Sequence, residues 1–342
     1  MKAAFDQVVI FSPSVKTGGP EALHQLGHHI ALHGGTARMV YYDIPFTITD
    51  NVIRCGKGPF PLLEHFARYQ PQVLTEAKLG PDMLIVYPEV LSVHASKVGT
   101  LHRRALWWLS VDNAILANPA LLEQDKVGAF FEDGDLLHLY QSEYAHLALM
   151  NNGARQRFPL SDYTDPQFLE RSAIASENPS ISSRGDTICF FPRKGQDLAE
   201  RFLAGGFSLR HAVDYTAIRD MTKAQVRDTL FRSRIFIDFG HHPGKDRVPR
   251  EAAIAGAVVL LHAAGAANYF GDHPLPATYR FTQDDVVSGR LHQRIDAILD
   301  DPEAHFAAQW RYRQAIRQEK ERFDLEVRSL FFEGGCDHRA GA

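Results

Sequence analysis

Cysteine is scarce: Cys55, Cys189 and Cys336 are the three in 342 residues, far apart and with no CxxC pair. An odd, scattered set suggests neither a disulfide framework nor a cysteine-based zinc site, and a reducing cytoplasm fits it best. Long hydrophobic runs are missing as well. No uncharged apolar stretch approaches the roughly 18 residues that span a bilayer. The opening MKAAFDQVVIF carries Asp6 inside its apolar stretch, so no signal-peptide h-region is expected. Nor is there a charge excess. A formal net charge of −4 and a pI near 6.5 give no overall footprint for nucleic acid, so any anion binding must come from local clusters.

What is present is an ordinary globular composition, 45% hydrophobic and 23% charged. The length exceeds one usual core, and two domains of about 150 residues are expected. Gln7–Phe11 (QVVIF) reads as a buried strand, followed by Gly18–Gly19, a helix with Pro20 in its first turn, and a strand at Ala37–Tyr42. The glycine pair is too short for a dinucleotide fingerprint; it is either a packing turn or a place where backbone approaches a ligand. A helix is expected at Pro61–Tyr69, strands at Asp82–Tyr87, Arg104–Leu109 and Leu136–Gln141, and a helix at Ser142–Asn152. Trp107 and Trp108 point to opposite faces and read as core. Glu89, Asp112 and Asn113 follow strand ends, where ligands collect in open α/β sheets.

Residues 161–185 are rich in Ser, Asp and Pro, and place a boundary there. The expected division is an N-terminal domain over 1–165, a linker over 166–185, a second domain over 186–304 and a C-terminal helix and tail over 305–342. The second half repeats the alternation: strands at Asp186–Phe191 and Phe207–Val213, helices at Gln196–Leu203 and Thr222–Ser233, strands at Ile235–Asp238 and Ala257–Leu261, and helices over 286–299 and 303–331. Strands alternating with helices in both halves predict an α/β protein with two Rossmann-like, doubly wound parallel sheets.

The chemistry concentrates at two strand ends of the second half. Arg193 and Lys194 follow the first strand there, and His241, His242, Lys245, Arg247 and Arg250 follow a later one. With Gly240 and a helix opening near Pro249, they suit a diphosphate, Arg as a fork and Lys as a mobile point charge. Glu251, placed in the first turn of that helix, either interacts with the helix dipole or accepts from ribose hydroxyls.

The segments GGPEAL (Gly18–Leu23), YQSEYAHLALMNNG (Tyr140–Gly153), FFPRKG (Phe190–Gly195) and PREAAIAGAVVL (Pro249–Leu260) resemble the GT-B glycosyltransferases, in particular the large retaining family with a Glu-x7-Glu signature. The resemblance implies two domains facing a cleft, with the C-terminal helix crossing back to the first. It implies transfer of a sugar from a nucleotide sugar to a glycan or other hydroxyl acceptor, as in cell-surface polysaccharide synthesis. By resemblance, Glu251 binds donor ribose, Arg193 and Lys194 neutralise the diphosphate, and Gly18 and Gly19 approach phosphate or sugar; Glu21 and Asn113 are expected with Gly18 and Gly19 in an acceptor or phosphate loop, and Lys194 is a further catalytic candidate. The signature's first glutamate falls on Pro243, within DFGHHPGKDR.

No cofactor or metal is expected, the departing diphosphate being stabilised by positive charge and helix dipoles. Internal return, with the leaving-group oxygen taking the acceptor proton, needs no carboxylate nucleophile. An inverting route needs a base, for which Glu21, Glu89 and Asp112 are the candidates. Asp133-Gly134-Asp135 reads as a turn rather than a metal-binding DxD, and His24 with His28 as structural rather than zinc ligands. The expected location is cytoplasmic, a peripheral place at the inner face of a membrane being left open. An epimerase or phosphorylase, or a non-catalytic nucleotide-sugar-binding subunit, is the alternative on the same fold.

Overall fold

Apolar strand segments build three buried clusters, one in the second of two units and two across the main sheet of the first. The computed structural model describes residues 3–56, 58, 64–97, 99–122, 124–174, 178–192 and 194–333. The chain divides into one unit running to Tyr163 and resuming at Lys320, and a second from Thr164 to Glu319.

In the first unit β1 (Gln7–Ser12) and β2 (Ala37–Tyr41) pair in parallel, Val8 opposite Ala37. A small antiparallel sheet follows, of β3 (Phe46–Thr49), β4 (Val52–Cys55) and β5 (Glu76–Lys78). Then β6 (Met83–Pro88), β7 (Arg103–Trp108), β8 (Leu136–Tyr140) and β9 (Arg157–Pro159) complete a six-stranded sheet in the order β2-β1-β6-β7-β8-β9. β6 is buried along its whole length, as a parallel strand covered on both faces must be. Trp107 and Trp108 do diverge: Trp107 stacks on Phe323, and Trp108 on Phe131 across the sheet. The Glu319–Phe331 helix supplies Phe323, Val327, Leu330 and Phe331 to this first core, at helical spacing.

The second unit holds β10 (Thr187–Phe190), β11 (Asp214–Ala217), β12 (Ile235–Asp238), β13 (Val258–His262) and β14 (Arg280–Phe281), all parallel, in the order β11-β10-β12-β13-β14. Ile235, Phe236, Ile237 and Val258 through Leu261 are fully buried in its core.

Several expectations shift. The strand expected at Phe207–Val213 lies at Asp214–Ala217 instead. Leu209 and Val213 pack on the core as a covering segment, while the polar DYTA sequence serves as an edge strand with little to bury. The segment expected as a linker carries a helix, Pro166–Ser172, capped by Asp165 on the Gln167 N–H, and it buries Phe168 and Ile181 in the second core. The helix over 286–299 is two, Gln283–Val287 and Arg290–Asp300. Gly289 divides them at φ 77°, where a Cβ would lie 2.6 Å from the Phe207 ring. The helix over 303–331 is three, Pro302–Ala308, Trp310–Arg317 and Glu319–Phe331. The first break falls at Gln309, whose buried amide completes the ladder at Val259 by accepting from its N–H and donating to its carbonyl, at 3.0 and 2.9 Å. Of the helix expected at Pro61–Tyr69, a 3-10 turn spans Glu64–Tyr69, and residues 61–63 lie outside the described residues.

Phe323→Ala should cost about 3–5 kcal/mol, the usual range for emptying a buried phenylalanine site. Urea unfolding that left the midpoint unchanged would contradict the placement of this ring in the first core.

Candidate functional site

In both sheets the strand order reverses once, between β1 and β6 in the first unit and between β10 and β12 in the second. The crevice beyond the carboxyl ends of such a strand pair is where doubly wound folds bind ligands. In the second unit, the loops after β10 and β12 meet there backbone to backbone. Gly195 has φ 77°, and a Cβ on it would lie 2.0 Å from the Phe239 carbonyl oxygen. Gly240 is equally confined, its Cβ position 2.6 Å from that of Lys194. Only glycine lets these loops approach so closely.

That contact places Lys194 against Asp246, the Nζ lying 3.0 and 2.9 Å from the two carboxylate oxygens. Asp246 stands at the N-cap of the Arg247–Ile254 helix, yet its side chain makes no cap hydrogen bond, being turned to the lysine instead. His242, fully buried, has Nδ1 3.3 Å from Asp246 Oδ2 and Nε2 3.8 Å from Asp238 Oδ2. Burial pushes the Asp238 carboxyl above the usual carboxylate range, and the Gly240 N–H donates to it at 2.9 Å. The opposite side of the loop is locked by Arg250, fully buried. It donates to Glu319 at 2.9 Å and to the carbonyls of Lys245 and Asp246 at 3.0 and 3.1 Å. Lys245 pairs with the other Glu319 oxygen at 3.0 Å, and Thr164 donates twice to the same carboxylate.

Of the residues expected to bind a donor, half-buried Lys194 and buried Gly240 meet where these two loops touch, and His242 is buried against Asp246. Lys245 and Arg250 are corrected: both are buried on Glu319 and hold the loop rather than face the crevice. Arg247 opens the helix, half-buried. Arg193 lies outside the described residues. Glu251 is two residues further into the helix than expected, since the helix opens at Arg247, and so lies past the first turn where the helix-dipole role would apply. Half-buried, its carboxyl is pushed up to about 7, chiefly by desolvation and then by Asp165, with Arg247 and Arg250 opposing. Beside Lys194, a cavity of about 470 Å³ at the ends of β10 and β11 is lined by Phe191, Pro192, Gln196, Ile218, Arg219, Asp220, Met221 and Val226. Asp238, Asp246, Glu319 and this cavity lie beyond what sequence reasoning assigned to the site. Asp246 is readable as the acid within a basic loop, whereas Glu319 is remote in sequence.

In the first unit, Gly18 and Gly19 are the first residues of the Gly18–Leu32 helix rather than a preceding loop. A Cβ on Gly19 would make only an ordinary 3.7 Å contact with Leu109. Glu21 is buried, accepting from the Tyr69 hydroxyl at 2.6 Å and from Arg68. Asp112 accepts from the Tyr144 hydroxyl at 3.1 Å, and Asn113 is exposed, its N–H given to the Ser110 cap. Glu89 is the unusual group. It follows β6 at the switch point, is buried, and has Oε2 without a hydrogen bond among the described residues. Desolvation pushes its carboxyl up to about 8, against the opposing backbone N–H groups of Glu89 and Leu109.

The remaining polar clusters are accounted for internally. Asp133 accepts from Arg104 at 2.8 Å and from the Asp135 N–H at 2.9 Å, a turn. His24 bonds the Pro20 carbonyl and the Tyr41 hydroxyl, and burial lowers it to about 4. Among the described residues His29, His33 and Asp324 are grouped closely enough to hold a metal ion, and each histidine lies 2.8 Å from the same Asp324 oxygen. Asp238, His242 and Asp246 form a second such group, in which Asp246 is paired with the Lys194 ammonium.

The architecture has counterparts among solved structures. Sucrose-phosphate synthase from Thermosynechococcus elongatus superposes with a TM-score of 0.58 at 14% identity, over 95% of this chain and 98% of that one. A glycosyltransferase from Rickettsia africae gives 0.58 at 9% identity, over 95% and 96%. An α,α-trehalose 6-phosphate synthase from Burkholderia multivorans gives 0.56 at 11%, over 95% and 99%. The chain has the GT-B fold. No protein-family model matches it, and no curated protein does, so membership of the Glu-x7-Glu family rests on the sequence resemblance alone. Among the described residues no helix is long and apolar enough to cross a membrane.

Glu89→Gln tests the buried acid through its pH dependence. A carboxyl whose folded pKa is raised contributes stability fully below its unfolded value and loses it as pH rises through the folded one. Wild type should therefore lose ground to the variant between roughly pH 4.5 and 8, by up to a few kcal/mol, and hold level above. Parallel urea curves across that range would show that Glu89 ionises normally.

Proposed function

We propose that this chain transfers a glycosyl group from a nucleotide sugar to a hydroxyl acceptor, the Thr164–Glu319 unit binding the donor and the first unit serving the acceptor. The carrying observation is Lys194, an ammonium brought by a backbone-to-backbone loop contact to the switch point, beside a cavity of about 470 Å³. The ammonium suits a diphosphate, and the cavity's apolar Phe191, Ile218, Met221 and Val226 with polar Gln196, Arg219 and Asp220 suit a nucleoside. Glu251 is proposed for the ribose hydroxyls, and Arg193 as a second charge on the diphosphate. Two of the structural counterparts, a sucrose-phosphate synthase and a trehalose 6-phosphate synthase, make a sugar or sugar phosphate an acceptor class to test beside glycans.

Transfer with retention by internal return is the route we favour. Each of the three base candidates is otherwise engaged: Glu21 is tied to Arg68 and Tyr69, Asp112 accepts from Tyr144, and Glu89 is held protonated near neutral pH. In this route the glycosidic C–O bond breaks toward the diphosphate, the acceptor oxygen bonds to the same face, and its proton passes to the departing diphosphate oxygen. Lys194 neutralises the charge that develops there, as does the Arg247–Ile254 helix N-terminus, without a metal ion being called on. A cytoplasmic enzyme of cell-surface polysaccharide synthesis is the proposed setting. A second reading, a binding subunit without turnover, is favoured by one observation, Pro243 in place of the signature's first glutamate.

A thermal-shift panel of UDP-, GDP-, ADP-, CMP- and dTDP-sugars, followed by turnover with sugar, sugar phosphate and glycan acceptors, separates these readings. The transferase requires binding and acceptor-dependent release of nucleoside diphosphate; binding without turnover supports the subunit, and interconversion without acceptor an epimerase. Lys194→Ala should weaken nucleoside diphosphate binding about 10- to 100-fold, the worth of one charge-assisted hydrogen-bond pair, with the unfolding midpoint retained. Undiminished affinity would remove Lys194 from the site. Glu251→Ala should weaken binding of the nucleoside diphosphate while leaving inorganic pyrophosphate affinity unchanged, and equal losses for both would exclude a ribose contact.

A further inference from the structure

The Lys194 ammonium already has an anionic partner. Lys194, the cation proposed for the diphosphate, has both oxygens of Asp246 within 3.0 Å, so an arriving diphosphate must take the ammonium from a resident carboxylate. Asp246 then needs a new partner. It does not cap its own helix. The nearest candidate is His242, its Nδ1 3.3 Å away, fully buried and with neither ring nitrogen hydrogen-bonded among the described residues.

We infer that Asp246 is a resident stand-in for diphosphate on Lys194 and that His242 is the positioning residue that receives Asp246 when the ligand displaces it, taking up a proton as it does so. The inference rests on diphosphate binding at Lys194 as proposed above.

The charge balance follows from the geometry. Before binding, Lys194 and Asp246 cancel. Afterwards Lys194 serves the ligand, and the partly buried Asp246 carboxylate, beside the buried Asp238, loses its cation. A proton on the imidazole restores the balance, with N–H donors then directed at both Asp246 and Asp238. His242 faces Asp238 at the end of β12, Asp246, His262 at the end of β13 and His273, whose ring centroid is 5.7 Å away, while Lys194, Lys245 and His241 act on those same neighbours. Burial first, and then the positive groups around them, hold His262 and His273 toward the neutral form, and Lys245 is committed to Glu319. His273 also bonds Tyr312 at 2.8 Å. Asp238 is the one rival, a carboxyl that burial already pushes up.

Calorimetric titration of the full chain with UDP, GDP and inorganic pyrophosphate, at pH 8 in two buffers of different ionisation enthalpy, reads the proton directly. Wild type should take up protons as the ligand binds, and Kd should rise with pH on the alkaline side. Asp246→Asn, which removes the competing anion, should bind diphosphate about tenfold or more tightly than wild type, without proton uptake. His242→Gln should abolish the uptake and flatten the pH dependence. Weaker binding by Asp246→Asn, or uptake persisting in His242→Gln as it would if Asp238 were the acceptor, overturns the inference while leaving the donor site standing. Absence of binding by wild type to all three probes overturns both.

Discussion

The buried ion cluster on Glu319 is the constraint on which the second unit's loop depends. A guanidinium with no solvent exposure is tolerated only when fully paired, and Arg250 is satisfied by one carboxylate and two backbone carbonyls. Those carbonyls belong to Lys245 and Asp246, so the pairing that satisfies the arginine also fixes the turn that leads into the Arg247–Ile254 helix. The cluster therefore sets where Asp246 stands, and through Asp246 where Lys194 stands. Positive residues that look alike in sequence thus divide into two kinds: Arg250 and Lys245 build the loop, and Lys194 is presented by it.

Glycine makes the same arrangement from the other side. The loop after β10 can reach the loop after β12 only because Gly195 adopts a left-handed conformation that brings its backbone against Phe239. A second such contact, Gly265 against the His242 carbonyl, holds the far end of the loop, where the Ala266 N–H donates to that carbonyl at 2.8 Å. Rigid strand ends and tightly apposed loops are the physical requirement for holding charges a fixed distance apart. They also bring Lys194 and Asp246 together at the reversal of strand order, where the two loops touch.

Charge compensation carries a similar logic into the first unit. Glu21 and Glu89 both lie buried near the sheet's carboxyl end, but their surroundings drive them apart. Glu21 has an arginine and a tyrosine hydroxyl on it. Glu89 is opposed only by backbone N–H groups and is kept protonated up to about pH 8. Two carboxylates of equal standing in the sequence are thus an ion-pair anchor and a neutral acid.

Hydrophobic periodicity and glycine and proline punctuation are enough to determine the α/β class, most of the strands of both parallel sheets and the basic loop after β12. Buried strands such as Ile235–Asp238 announce themselves by composition, because both faces must be apolar. The differences fall where burial is partial or where a distant partner decides: the edge strand at Asp214–Ala217, the helix break at Gln309, and the helix start at Arg247 rather than near Pro249. At the candidate site, residue types alone establish that positive charge is present. Which of those charges reaches the crevice is decided by tertiary structure, since the carboxylate that withdraws Arg250 and Lys245 belongs to Glu319, 69 residues beyond Arg250. Long-range ion pairs leave no local pattern, because the free energy that forms them comes from shared burial and not from spacing along the chain.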